Sequence, residues 1–133
     1  MTRVMLDGTV EMSKRLEKGI DSFYRTVGSV SALSPEAMWK YVKDFGKPIG
    51  FVGPALLCDF LKEIGVFRFV KVDHHFLNEF PRLLGVQDCK TMGEKQHFIL
   101  SQTVADAVGI IPFYLDRILY EWGRYGDKQP TRI

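Results

Sequence analysis

Asp73, His74 and His75 are the densest cluster of titratable side chains in this 133-residue chain, and His97 is the one other histidine. A carboxylate beside imidazoles can exchange protons with a substrate, or hold a cation that develops as a bond breaks. Metal binding is a poorer match. Adjacent histidines leave a helix on different sides, and neither a His-x3-His pair nor paired cysteines accompany them, so no metal centre is expected. Cys58 and Cys89 lie in or beside apolar segments without Cys-x2-Cys spacing. They read as reduced structural thiols rather than a nucleophile or a disulfide. No Gly-x4-Gly-Lys occurs, so a P-loop is absent. Asp73 also has a plain structural reading, as an N-cap whose carboxylate accepts from the backbone of the next helix. Both readings of Asp73 stay open at the level of residues.

The stretch that must position Asp73 runs from Gly50 to Gly65 and on to Val72. Gly50-Phe51-Val52-Gly53-Pro54 reads as a glycine hairpin, with Gly53 expected in backbone angles closed to other residues and Pro54 at the first helical position. Between Ala55 and Ile64 apolar residues fall on nearly every face, which predicts a central helix covered all round. Gly65 is its C-terminal cap. Val66 to Lys71 is a short extended link with no partner strand in view. Asp73 then opens a helix carrying Phe76, Leu77 and Phe80, which Pro81 is expected to break or restart. Upstream, Val10, Leu16, Ile20, Phe23 and Val27 predict one amphipathic helix over Gly8–Val27, ended by Gly28. Ser34-Pro35-Glu36 starts another, with the stripe Met38, Tyr41, Val42 and Phe45 running to Gly46. Trp39 lies off that stripe, as a groove-lining aromatic or, preferably, an edge contact. Downstream, Thr91 to Glu94 fits a capping box. Its helix buries Phe98, Ile99 or Leu100, Ala105 and Val108, and ends at Gly109. Pro112 starts the last helix, with the stripe Leu115, Ile118, Leu119 and Trp122. The polar tail 127–133 should fray. The expectation is one compact all-α domain over 1–133, of about six helices, built around the hairpin and central helix at 46–65.

Composition narrows the partners. The formal charge is +2, and no run of lysine or arginine occurs. Any nucleic-acid binding must therefore use a local patch rather than a global field. No apolar run reaches membrane-span length, and the first residues lack the apolar core of a signal peptide. The expected protein is soluble and cytoplasmic, without a membrane partner.

Glycine hairpin, apolar helix, Val72-Asp73-His74-His75 and the following Arg82-Leu83 together resemble the helix-hairpin-helix DNA glycosylases of base excision repair. Gly123-Arg124 near the end of the last helix resembles that family's closing Gly-Arg. The hairpin wording, with the later Phe60-Leu61 and Ile64-Gly65, is most similar to the 3-methyladenine DNA glycosylase I family. The resemblance covers residues 46 to 125. It implies that the hairpin amides of Gly50, Phe51, Val52 and Gly53 grip a phosphate of double-stranded DNA. It further implies that Asp73 is the catalytic carboxylate. This chain departs from the family in several places. Two residues rather than one separate the hairpin glycines. No lysine stands near Pro54 for a Schiff base, which implies a monofunctional enzyme. Two cysteines cannot hold a four-cysteine iron–sulfur cluster, and the family's zinc ligands are missing, so no cofactor is expected. The segment before the hairpin is also about half the family's usual length, which leaves part of the base pocket to be supplied; a homodimer is one way to supply it.

On that resemblance the chain is a small monofunctional DNA glycosylase-like protein. Lys43, Lys47 and Arg68 would add backbone contacts. Tyr24, Trp39 and Tyr41 would receive a flipped base. Asp73 would stabilise the sugar cation or orient water, and His75 would hold the neighbouring backbone or DNA. Two other readings compete: a helix-hairpin-helix DNA-binding module without chemistry, and a helical protein-interaction domain. A positive patch at the hairpin beside a cleft holding Asp73 favours the enzyme. The patch alone favours the module.

Overall fold

The computed structural model describes residues 2–72, 74–83, 85 and 93–125, and these form an all-α fold with no strand among them. The helices are α1 (Thr2–Arg15), α2 (Ile20–Ser31), α3 (Pro35–Gly46), α4 (Pro54–Glu63), α5 (His74–Leu83), α6 (Glu94–Val108) and α7 (Pro112–Tyr125). Helix α3 packs on α2, α4 and α6, while α7 packs on α5 and α6. Their shared core is aromatic: Phe45, Phe69, Phe76, Phe80 and Phe98 are all buried, with Met38, Leu61 and Leu119 between them. No single described helix is long and apolar enough to cross a membrane.

Several local expectations needed correction. The predicted first helix is two helices, because Gly19 takes φ +91 and turns the chain there. Gly28 lies inside α2, which runs on to Ser31; glycine in a helix costs only about 1 kcal/mol and need not end it. Helix α4 is amphipathic rather than covered all round. Leu57, Cys58 and Leu61 are buried while Leu56 and Phe60 are exposed, because α3 lies on one side only. Helix α5 continues past Pro81 to Leu83. Gly93, not Thr91, is the N-cap of α6, and its N–H donates to Gln96 Oε1 at 3.1 Å; Thr91 lies outside the described residues, as does the tail 127–133. Val108, Ile118 and Trp122, expected in the core, are exposed.

The link from α4 to α5 is anchored in the core. Phe69, Val70 and Val72 are buried although the segment belongs to no sheet. One of its carbonyls is met by α6: Gln102 is fully buried, and its Nε2 donates to the Arg68 carbonyl at 2.6 Å. A buried backbone carbonyl needs such a donor, and no strand supplies one here.

Helix α4 is tied to α7 by charge. Lys62 Nζ lies 3.0 Å from Asp59 Oδ1 and 3.1 Å from Asp116 Oδ2, with little exposure. Burial disfavours the ammonium, but hydrogen bonds and charge from the two aspartates outweigh it and raise the Lys62 pKa above 10.5. A raised folded pKa means that this contribution is complete at neutral pH and is lost as pH climbs through the folded value. Lys62→Met should therefore cost about 2 kcal/mol at pH 7, by removing the cation that Asp59 and Asp116 share. Urea unfolding checks this, and the gap from wild type should narrow above pH 10.5.

Candidate nucleic-acid interface

The site begins with two helices whose ends are set by local chemistry. Ser34 caps α3, its Oγ accepting from the Ala37 N–H at 3.3 Å, and Pro35 stands at the first helical position. At the other end, the Lys47 N–H bonds the Lys43 carbonyl at 3.0 Å and the Ile49 N–H bonds the Gly46 carbonyl at 2.9 Å. Ile49 buries its side chain and roots the turn. Gly46 is required for closure. A Cβ there would lie 2.7 Å from Leu57 Cδ1 and 3.0 Å from the Val52 carbonyl oxygen, so only glycine lets α3 approach α4 this closely.

The two hairpin glycines behave differently. Gly53 is extended at φ −91 and ψ 172, not left-handed as expected. Phe51 instead takes the left-handed conformation, at φ 65. A non-glycine residue there costs on the order of 1–3 kcal/mol, and this phenylalanine is 99 % exposed, so its ring makes no core contact in return. Nothing lies within 4 Å of where a Cβ would stand on Gly50 or Gly53. The fold itself leaves both positions free to carry side chains. What two bare glycines provide is a backbone that a ligand can approach closely.

Behind the turn, α4 starts without a side-chain cap. Pro54 has no N–H, and the first helical bond, Leu57 N–H to the Gly53 carbonyl, is 3.3 Å long. The Ala55 and Leu56 donors precede that bond, at the positive end of the helix dipole.

Lysines surround this start. An open groove is lined by Lys43, Asp44, Lys47, Gly50, Phe51 and Pro54. It is followed along α3 by a second, where Lys40 and Lys43 meet Lys95 from α6. A 2.6 Å hydrogen bond from Lys40 holds the Asp44 carboxyl below its ordinary range, and the charges of Lys47 and Lys43 add to the effect. Lys40 is thus paired with Asp44, and exposed Lys43, Lys47 and Lys95 leave this edge net positive against Glu36.

Other predicted site residues are placed elsewhere. The Arg68 guanidinium donates to the Ser31 carbonyl and to Gln102 Oε1 at 3.3 Å, so it braces α2 against α6 instead of flanking the hairpin. Trp39 is 5 % exposed and packs on Phe98, with ring centroids 5.4 Å apart; α3 is covered on a second face by α6, which a single stripe does not reveal. Tyr41 packs on Phe45, and its hydroxyl accepts from Arg15 at 3.5 Å. Burial raises the Tyr41 pKa, and Arg15 opposes that rise. The Tyr24 hydroxyl donates to the Ile64 carbonyl at 3.1 Å. These three aromatic side chains therefore have separate partners and do not converge on one cavity. His75 lies in the first turn of α5, which begins at His74. Asp73 and Cys89 lie outside the described residues.

Cys58 is a free, buried thiol whose pKa burial pushes up, so it has little thiolate character. His97 is buried, with Nδ1 3.0 Å from the Gly93 carbonyl oxygen and no partner for Nε2. Among the described residues no group of three or more histidine, cysteine, aspartate or glutamate side chains is placed to hold a metal ion. Motif reading passes over two residues that shape the site. Gly46 is signalled by a glycine directly after buried Phe45, and Gln102 by a polar residue four places beyond Phe98 on the apolar face of α6.

No protein-family model, curated protein or solved structure matches this chain.

Proposed function

We propose that the protein grips the backbone of duplex DNA with the α3–α4 hairpin and hydrolyses the N-glycosidic bond of a damaged base. The observation that carries the binding half is the bare start of α4. Two glycines with open space at their Cβ positions, an uncapped helix N-terminus and exposed Lys43 and Lys47 suit a phosphate, whatever base it bears. The catalytic half rests on the family resemblance. In it, Asp73 supplies a fixed negative charge to the oxocarbenium character that develops as the base departs, or aligns the attacking water.

One observation favours a second reading, a binding module without base chemistry. Trp39, Tyr41 and Tyr24 are each engaged with other groups, which leaves none of them free to stack on an extruded base without rearrangement.

The binding half is tested by salt. Lys47→Gln should weaken binding to a short duplex a few-fold near 0.1 M salt, and reduce the slope of log affinity against log salt by about one. An unchanged slope for both Lys43→Gln and Lys47→Gln would remove the phosphate contact from this edge.

A further inference from the structure

Phe51 is the most exposed large apolar side chain among the described residues, and its ring touches nothing in the core. It is also the one non-glycine residue among them with a positive φ. Glycine takes that conformation without steric cost, so the fold by itself is better served by glycine at position 51. A strained residue that gains no packing in return points to a role outside the fold.

Its surroundings indicate the ligand. The ring lines the same open groove as Lys43, Asp44 and Lys47, and the Asp44 carboxylate is already paired with Lys40. Both groove lysines are exposed, so two cations stand beside a bare aromatic face. No other aromatic residue lines that groove among the described residues; Trp39 lines the next one along α3 but is buried against Phe98. An aromatic face flanked by cations suits a nucleobase and its phosphates, because the base stacks on the ring while lysines meet the backbone, whatever the sequence. A lipid surface is a poorer match, since binding there scales with the apolar area inserted and this groove offers one ring. Building on the reading of the hairpin as a phosphate grip, we infer that Phe51 stacks on an unpaired nucleobase beside the gripped phosphate. Bases in an intact duplex are already stacked on one another, and opening a step for a side chain costs free energy. An unpaired nucleotide removes that cost. The hairpin therefore selects duplex DNA at a point where one base has lost its partner.

Fluorescence anisotropy tests the inference with two short labelled duplexes, one intact and one carrying a single unpaired nucleotide. Wild type should bind the second about tenfold more tightly. Phe51→Ala keeps the backbone strain and removes the ring; it should lose that preference and bind intact duplex within about twofold of wild type. Phe51→Trp should retain the preference. Neither variant should change the slope of log affinity against log salt, because no phosphate contact is lost. Phe51→Gly should lose the preference as Phe51→Ala does, yet melt no lower than wild type, since it relieves the left-handed strain. Equal wild-type affinity for the two duplexes overturns the stacking and leaves the phosphate grip standing. A wild type that binds neither duplex removes the grip and the stacking together. A preference that survives in Phe51→Ala, a marked loss of stability in Phe51→Gly, or Phe51-dependent binding to anionic phospholipid vesicles in place of DNA also overturns the inference.

Discussion

Asp73→Asn is expected to keep the fold and duplex binding, and to release a damaged base on the order of a hundredfold more slowly or worse. Asparagine accepts the same backbone hydrogen bond as aspartate at a helix start. If capping were the whole role of Asp73, the change would cost no more than about 1 kcal/mol of stability and nothing in rate. A charge that offsets a sugar cation has no such substitute. The comparison uses duplexes carrying alkylated or deaminated bases and counts free base and abasic sites. A 3-alkylated purine should show the smaller loss, because its glycosidic bond is already weak and needs less help from the carboxylate. Wild type that releases no base from any of these duplexes sinks the enzymatic reading and leaves the binding module. Release that is equal in wild type and variant makes Asp73 a cap.

Gly53→Glu should reduce duplex affinity by about a hundredfold while the protein remains folded. The tertiary structure makes this a clean test. Gly53 is extended at φ −91, and no atom lies within 4 Å of the position a Cβ would take. Neither backbone strain nor a clash opposes the substitution. At most it replaces a good N-cap with a poorer one, about 1 kcal/mol, and a carboxylate near a helix start recovers part of that. The loss of affinity would come from a side chain and a like charge occupying the phosphate's place. Gly53→Ala supplies the bulk without the charge and should fall between the two. Fluorescence anisotropy with a labelled duplex, read beside thermal melts, separates binding from folding. Equal binding by wild type and Gly53→Glu would remove DNA from the account.

The two tests probe different links. Failure at Gly53 strikes the phosphate anchor, whereas failure at Asp73 alone leaves the anchor standing.

Sequence alone determined what interactions within a few residues decide. Ser34-Pro35 and Pro54 start helices where expected, and Gly65 and Gly109 stop them in left-handed conformations, at φ +106 and +73. Caps and stops are made between residues three or four apart, so the signal is complete in a short window. The closeness of Lys43 and Lys47 to the hairpin was legible for the same reason: four residues apart, they share one side at the end of α3. Tertiary structure decided what covers each face. Apolar spacing says that Leu115, Ile118, Leu119 and Trp122 lie near one another, but not that only Leu115 and Leu119 among them are buried. It put Trp39 at the edge, although α6 arrives to bury it against Phe98. Arg68, next to the hairpin's helix in sequence, is drawn to Ser31 and Gln102 because the link folds onto α6. The left-handed turn falls on Phe51 rather than on a glycine, between buried Ile49 before it and Val52 after it, whose carbonyl is held close to Gly46. Each of these outcomes depends on residues distant in sequence, and burial and close approach are properties of the partner surface as much as of the residue itself.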